Sequence, residues 1–419
     1  MWLINCQTFA LEFFHDPCKV KYAILSHTWG DGEVTFKDMA DLKKAQSLKG
    51  FDKIRGTCAT AIADGFQYAW VDTCCIDKSS SAELSEAINS MFSWYRLSQV
   101  CYVYLSDVSC KPINIEDEVG RLFTREDFCK SRWFTRGWTL QELIAPTDVR
   151  LYDTKWNILA ILQDDKQAVN AIVRRTGIPE AILVWGHRLC FTCRGDKIKG
   201  MCGSCRRSRE SLALLENYTV AERMSWAATR DTTRPEDRAY SLLGIFGVNM
   251  PLLYGEGHRS FARLQEEIIK LSDDQSILAH RSGGKLFADS PDSFYNPMEP
   301  GFGINSPFVK LNESTCWLSS ERNAVEMRSN GKSVEMSMLL CRLQNDDARL
   351  DSHLLHVGIL ACTFKGDGLS RPAVLLKQSS TNPETFCRHG VGHLLKITAL
   401  SPRKSVKDSI TSEGQGTLI

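Results

Sequence analysis

No stretch of this chain approaches the ~18 consecutive apolar residues that a membrane-spanning helix requires. Its first sixteen residues have no basic start, and Glu12 interrupts the early apolar run, so no secretory leader is expected. An excess of one charge is also missing. With 51 basic against 50 acidic residues, there is no global electrostatic argument for nucleic acid, and no nucleic-acid partner is expected. Walker-type phosphate loops, internal repeats and heptads are absent as well. What remains is a soluble, cytoplasmic globular chain. Its 419 residues, 43% of them hydrophobic, are enough for about two to three domains with real cores.

Cysteine, by contrast, is plentiful: there are 16. Most sit inside apolar runs such as Val100-Cys101-Tyr102, where a reduced thiol behaves as a small core side chain. One group differs. Cys190-x-x-Cys193 and Cys202-x-x-Cys205 have the paired spacing of a zinc knuckle, but the connecting segment is short and crowded with Arg194, Lys197 and Lys199. Zinc binding and an inserted segment near residues 183–212, of the kind an unspliced intron produces, both stand as readings. No metal is assigned.

Residues 1–155 alternate strand and helix patterns. This predicts an α/β domain with a mostly parallel sheet and flanking helices. Apolar runs at Tyr22 to Ser26, Tyr68 to Val71 and Val100 to Leu105 are the strands. Helical spacing recurs from Phe51 to Phe66, and from Leu84 to Tyr95 behind a capping box at Ser80 and Glu83. A further helix is predicted over Arg136 to Leu143, stopped by Pro146. Residues 156–290 read as a helical segment. It includes Asp165 to Thr176, Thr219 to Arg230, and a second capping box at Thr233 and Glu236 leading into Ala239 to Phe246. Residues 291–400 show short alternating runs among glycine, serine and proline, which predicts a β-rich sandwich or barrel-like module. Residues 401–419 read as a flexible tail.

Ligands of open α/β sheets bind at the carboxyl ends of the parallel strands. Here those ends run into Ser26-His27-Thr28-Trp29, Asp72-Thr73-Cys74-Cys75 and Ser106-Asp107, so parallel strands bring three polar clusters to one rim. Each residue also has a plainer reading: His27 as a hydrogen-bonded structural histidine, Trp29 and Trp138 as core aromatics. In Trp133-Phe-Thr-Arg-Gly-Trp138-Thr-Leu-Gln-Glu142, Trp138 and Glu142 lie four apart, on one helical face. Glu142 among Leu140, Leu143 and Ile144 is either a surface carboxylate or a desolvated one with a raised pKa.

The segments Tyr22-Ala-Ile-Leu-Ser-His-Thr-Trp-Gly30, Trp70-Val-Asp-Thr-Cys-Cys-Ile76 and Arg132-Trp-Phe-Thr-Arg-Gly-Trp-Thr-Leu-Gln-Glu142 together resemble the fungal heterokaryon incompatibility (HET) domain, over roughly residues 1–155. Ala221 to Ala228, Thr233 to Gly244 and Leu253 to Gly257 resemble the segment that often follows it. The resemblance implies a role in non-self recognition and programmed cell death, part of fungal innate immunity. It also implies kinship with TIR domains and their flavodoxin-like sheets, many of which cleave NAD with a glutamate in a Trp-x-x-x-Glu motif. By that resemblance Glu142 is the catalytic candidate, NAD the candidate substrate, and Ser26, His27, Trp29, Asp72 and Trp138 the residues expected to hold it. The partners implied are further copies of the chain or another incompatibility protein. The nucleotide-driven assembly domain and repeat array that follow this domain in many relatives are not recognised here. Two further readings stand beside the NADase: a non-enzymatic death-signalling adaptor acting by homotypic assembly, and a cysteine hydrolase using Cys74 or Cys75 with His27.

Overall fold

A computed structural model describes residues 1–109, 128–184, 214–283, 285–294, 304–305, 323–329, 332–342, 355–360, 363–364, 371–380, 385–388, 395–397 and 410–412. The cysteines at 190, 193, 202 and 205 lie outside these residues. So do the flanks of the predicted tail. The chain divides into two compact units, Met1–Leu214 with Arg230–Tyr254, and Leu215–Thr229 with Gly255–Ile419.

The first unit is built on a seven-stranded sheet. Its strands are β1 (Trp2–Asn5), β2 (Leu11–Phe13), β3 (Tyr22–His27), β4 (Tyr68–Trp70), β5 (Val100–Tyr104), β6 (Val149–Tyr152) and β7 (Ile158–Ile161), in the order β2-β1-β4-β3-β5-β6-β7. The four central strands are parallel, while β1, β2 and β7 are antiparallel edges. The expected α/β class is therefore present, with a fourth parallel strand, β6, and three edge strands that the hydrophobic pattern did not single out.

Helix α1 (Leu42–Gln46) starts at Asp41, whose carboxylate caps Lys43 and Lys44. Helix α2 (Phe51–Ala63) buries Phe51, Ile54 and Cys58 of the expected stripe together with Ala61, but leaves Ile62, which the stripe included, exposed. Helix α3 (Ser81–Leu97) starts at Ser80, which accepts from the Glu83 N–H. The reciprocal half of the expected box is diverted, because Glu83 accepts from Asp77 N instead of Ser80 N. Helix α4 (Thr139–Ile144) begins three residues later than the pattern suggested. A 3-10 turn, Arg132–Thr135, precedes it. The delay has a cause: Gly137 N donates to Asp231 O and Asp231 N to Thr135 O, so Arg136 is held extended in a single bridge with the distant Asp231. A side chain at Gly137 would run into Thr232. Helix α5 (Lys166–Thr176) has an Asp165 cap and a left-handed Gly177 at its end, as expected. The expected box at Thr233 and Glu236 does not form. The chain makes two short helices, Asp237–Tyr240 and Leu243–Phe246, without a side-chain cap.

In chain order the parallel strands sit 2-1-3-4. Crossovers between parallel strands are right-handed, so α2 covers one face of the sheet and α3 with α4 the other. The direction of winding reverses between β3 and β5. That reversal falls at their carboxyl ends, the crevice position where doubly wound sheets take their ligands.

The second unit contains the capped helix Val220–Ala227, with Thr219 and Glu222 forming a full capping box, and the helix Arg259–Leu271. Its described strands are β8 (Ile304–Asn305), β9 (Asn323–Ser329), β10 (Lys332–Arg342), β11 (Leu355–Ile359), β12 (Thr363–Phe364), β13 (Arg371–Gln378), β14 (Thr385–Arg388), β15 (Leu395–Ile397) and β16 (Ile410–Ser412). The order β11-β10-β9-β14-β13 closes on itself through a β11–β13 pairing. Within this unit Arg388 donates to the carbonyls of Leu278 (3.0 Å) and His280 (2.5 Å). Among the described residues no helix is long and apolar enough to cross a membrane.

Candidate functional site

Strand β3 is buried along its whole length. Successive side chains point to opposite faces of the sheet, so Ser26 and His27, one residue apart, serve two different clusters.

On the α3 and α4 face lies a closed polar cluster. Ser26 Oγ donates to Glu142 Oε2 at 2.5 Å and accepts from the Trp133 indole N–H at 2.8 Å. Tyr95 on α3 donates to Leu25 O at 2.9 Å and also contacts the Glu142 carboxyl. Glu142 is 6% exposed. Burial pushes its pKa up to about 8, and Asp72 adds to the rise; the hydrogen bond from Ser26 and the charge of Arg230 pull the other way without overcoming it. A neutral carboxyl also fits the donors. The Tyr95 proton is committed to Leu25 O, so the Tyr95 oxygen is free to accept from a protonated Glu142.

Arg230 completes this cluster from 91 residues along the chain. Its Nη1 donates to Thr139 Oγ1 and to Arg136 O, both at 3.0 Å. The Thr139 hydroxyl donates to Trp133 O at 2.6 Å. A continuous path of hydrogen bonds thus runs from Arg230 through Thr139, Trp133 and Ser26 to Glu142.

On the α2 face lies an open cluster. His27 Nε2 meets Asp72 Oδ1 at 3.0 Å, and its Nδ1 meets Lys53 Nζ at 3.2 Å. Lysine has only protons to give, so Nδ1 accepts and Nε2–H donates to Asp72. Lys53 also bonds Thr28 O and forms an ion pair with Glu33. The Trp29 indole N–H donates to Asp72 Oδ2 at 2.7 Å. Burial alone would raise the Asp72 pKa, but the hydrogen bonds from His27 and Trp29 and the Lys78 charge together hold it down to about 2. Trp29 itself is 51% exposed, with Lys78 Nζ 3.7 Å above its ring.

Across the crevice, Thr28 Oγ1 meets Ser106 Oγ at 3.2 Å. Arg132 Nε donates to the same Thr28 oxygen (3.1 Å), and its Nη2 donates to Trp29 O (3.0 Å).

The strand-end prediction can now be followed residue by residue. Ser26 and Glu142 are bonded to each other. His27, Trp29 and Asp72 form one network, on the opposite face. Trp138 joins neither: its indole bonds Asp237. The tryptophan beside Glu142 is Trp133. Lys53, Glu33, Tyr95, Arg132 and Arg230 belong to the two clusters without having been picked out; only Arg132 stood in a segment already under suspicion. Cys74 and Cys75 are buried and turned to the backbone. Cys75 Sγ accepts from Val71 N and Cys74 Sγ faces Val71 O. Burial pushes the Cys74 thiol well up, and both His27 nitrogens are engaged, so no thiol–imidazole pair exists here. Among the described residues no group of three or more His, Cys, Asp and Glu side chains could hold a metal.

Over 252 residues, 59% of its length, the chain is 45% identical to the vegetative incompatibility protein HET-E-1 of Podospora anserina. Those residues span 16% of that relative. No solved structure matches the chain. Residues 22–122 match the family described as heterokaryon incompatibility protein (HET), and the chain accordingly carries a HET domain on its parallel sheet.

Proposed function

We propose that the chain is an effector of vegetative incompatibility in the cytosol, and that its HET domain cleaves NAD at the crevice between β3 and β5. The observation that carries this reading is Glu142. It is a buried carboxyl with a pKa raised to about 8, set beside the carboxyl end of a central parallel strand. Perturbed acids in such places are candidates for chemistry. The 2-1-3-4 parallel order supports the kinship with TIR and flavodoxin-like sheets that the sequence motifs suggested.

In the proposed reaction the C1′–N bond between ribose and nicotinamide breaks, and its electron pair leaves with nicotinamide. Water adds at C1′ and releases one proton to solvent, giving ADP-ribose. Positive charge builds on the ribose as the bond breaks, and ionised Glu142 stabilises it. Cleavage therefore rises with pH towards about 8, as Glu142 loses its proton. Purified chain, assayed for NAD loss over a range of protein concentrations, should be active, and Glu142→Gln should lose at least 100-fold in turnover while keeping its fold. Equal turnover by both forms would remove Glu142 from the chemistry.

A second reading rests on a specific observation. The Glu142 carboxyl is already satisfied by Ser26 and Tyr95 and is 6% exposed. On this reading it is a structural acid, and the HET domain acts as an adaptor through self-association or through another incompatibility protein. Cell killing by the Glu142→Gln form, with no NAD loss, favours the adaptor.

A further inference from the structure

One charged group in the crevice has been ordered without being neutralised. Arg132 is exposed, yet its guanidinium is fixed at two points, by Thr28 Oγ1 and by Trp29 O. Its backbone is fixed as well: Arg132 N donates to Asp107 Oδ2 (2.8 Å), and the neighbouring Ser131 hydroxyl donates to Asp107 Oδ1 (2.5 Å). Among the described residues no carboxylate pairs with the Arg132 side chain, and Nη1 has no hydrogen-bond partner. The other nearby cations differ. Lys53 is ion-paired to Glu33 and bonded to His27, while Lys78 sits on the Trp29 ring.

Holding a long side chain in one geometry costs conformational entropy. Here that cost is met before any ligand arrives, and the planar fork matches the oxygens of a phosphate. Thr28 and Ser106 place this fork where β3 and β5 diverge. Trp29, whose carbonyl anchors Arg132, offers a half-exposed ring tied by its N–H to Asp72. A cationic fork beside an exposed aromatic ring suits a ligand with both a phosphate and a planar base.

We propose that Arg132 and Trp29 form a nucleotide subsite at the β3–β5 crevice, with Arg132 binding a phosphate of a nucleoside diphosphate and Trp29 stacking its base. This rests on the reading of the crevice as the ligand site, but not on cleavage of NAD. Lys78 is the resident occupant of the ring face and gives way to the base.

Binding of ADP and of adenosine to the full chain, followed by titration calorimetry, tests the subsite. ADP should bind, with adenosine at least tenfold weaker. Arg132→Gln should weaken ADP at least tenfold and leave adenosine unchanged. Trp29→Leu should weaken both, and Lys78→Ala should tighten both. Equal affinity of ADP for the parent and Arg132→Gln chains overturns the proposal, as does absence of ADP binding at millimolar concentration. Failure of the subsite and failure of NAD cleavage are separable. A chain that binds ADP through Arg132 but leaves NAD intact keeps the subsite and loses the cleavage reading. A chain that cleaves NAD with an unchanged KM in Arg132→Gln does the reverse.

Discussion

Glu142 and Asp72 are two carboxyls driven in opposite directions, and each leaves a different signature with pH. The Glu142 pKa stands near 8 in the folded chain, against an ordinary value of 4.5. Between those values the folded state keeps a proton that the unfolded state has lost, so stability falls as pH rises from about 4.5 to about 8, by roughly 1 kcal/mol per pH unit. Urea unfolding of the parent and Glu142→Gln chains at pH 5, 6, 7 and 8 checks this. The difference between them should grow in favour of Glu142→Gln across the window, and a constant difference would contradict a raised pKa. Asp72 behaves conversely. Its stabilisation is present above its ordinary value of 3.8 and fades as pH falls towards about 2. Asp72→Asn removes the charge and leaves one acceptor oxygen where His27 and Trp29 use two, and should cost about 1–3 kcal/mol at neutral pH. At this scale the sequence was half legible. Ser26, His27 and Asp72 follow apolar runs and so declare themselves as strand ends. The choice of Trp138 over Trp133 came from the Trp-x-x-x-Glu resemblance together with a helix expected from Arg136, and that helix is delayed by a backbone clasp no local pattern encodes.

The clasp belongs to the scale of elements. Residues 135–137 pair with Asp231, and Gly137 is the point of closest approach, against Thr232. Gly137→Ala should destabilise the first unit by about 1–3 kcal/mol, and it should also disturb Trp133 and hence Ser26. Circular dichroism melting and tryptophan fluorescence would report the two effects. Gly244 has a similar role behind α3, where an added side chain would strike Phe92, one turn from Tyr95. Arg230 acts on Glu142 through charge as well as through Thr139. Replacing it by Gln should move the Glu142 pKa still higher, which would be seen as a shift of the pH window described above. The groups that face Glu142 in this comparison are Tyr95 on α3, Cys101 on β5, Asp72 after β4, and Arg230, which itself faces Arg175. Helices with a clean apolar stripe, such as α2, α3 and α5, were readable in advance. Strand β6 was not, and neither were the edge strands β1, β2 and β7. They are three or four residues long and only partly buried, too short for alternation to stand out.

For the whole molecule, the first unit does not end where its motifs do. The sheet continues through β7 to Ile161, and the segment Arg230–Tyr254 returns to it. A fragment ending near residue 155 lacks β7, Arg230 and the Gly244 contact with α3. It should unfold over a broad range of urea, whereas a fragment reaching Tyr254 should retain a sharp transition. A sharp transition in the shorter fragment would show that the returning segment is dispensable. The HET motifs mark the part of the unit that is densest in sequence signal, while the returning part has only non-local bonds to identify it.

Those bonds have a consequence in time. Arg230 lies 91 residues beyond its partner Thr139, and Met250 lies 161 residues beyond Asn89, which it meets through both backbone groups. A ribosome adding about 5–20 residues per second reaches Met250 roughly 8–30 seconds after Asn89. Arg230 follows Glu142 by 88 residues, so for roughly 4–18 seconds of synthesis the Glu142 cluster is without the arginine that braces it, and a nascent chain carries every HET motif before it carries a finished HET unit.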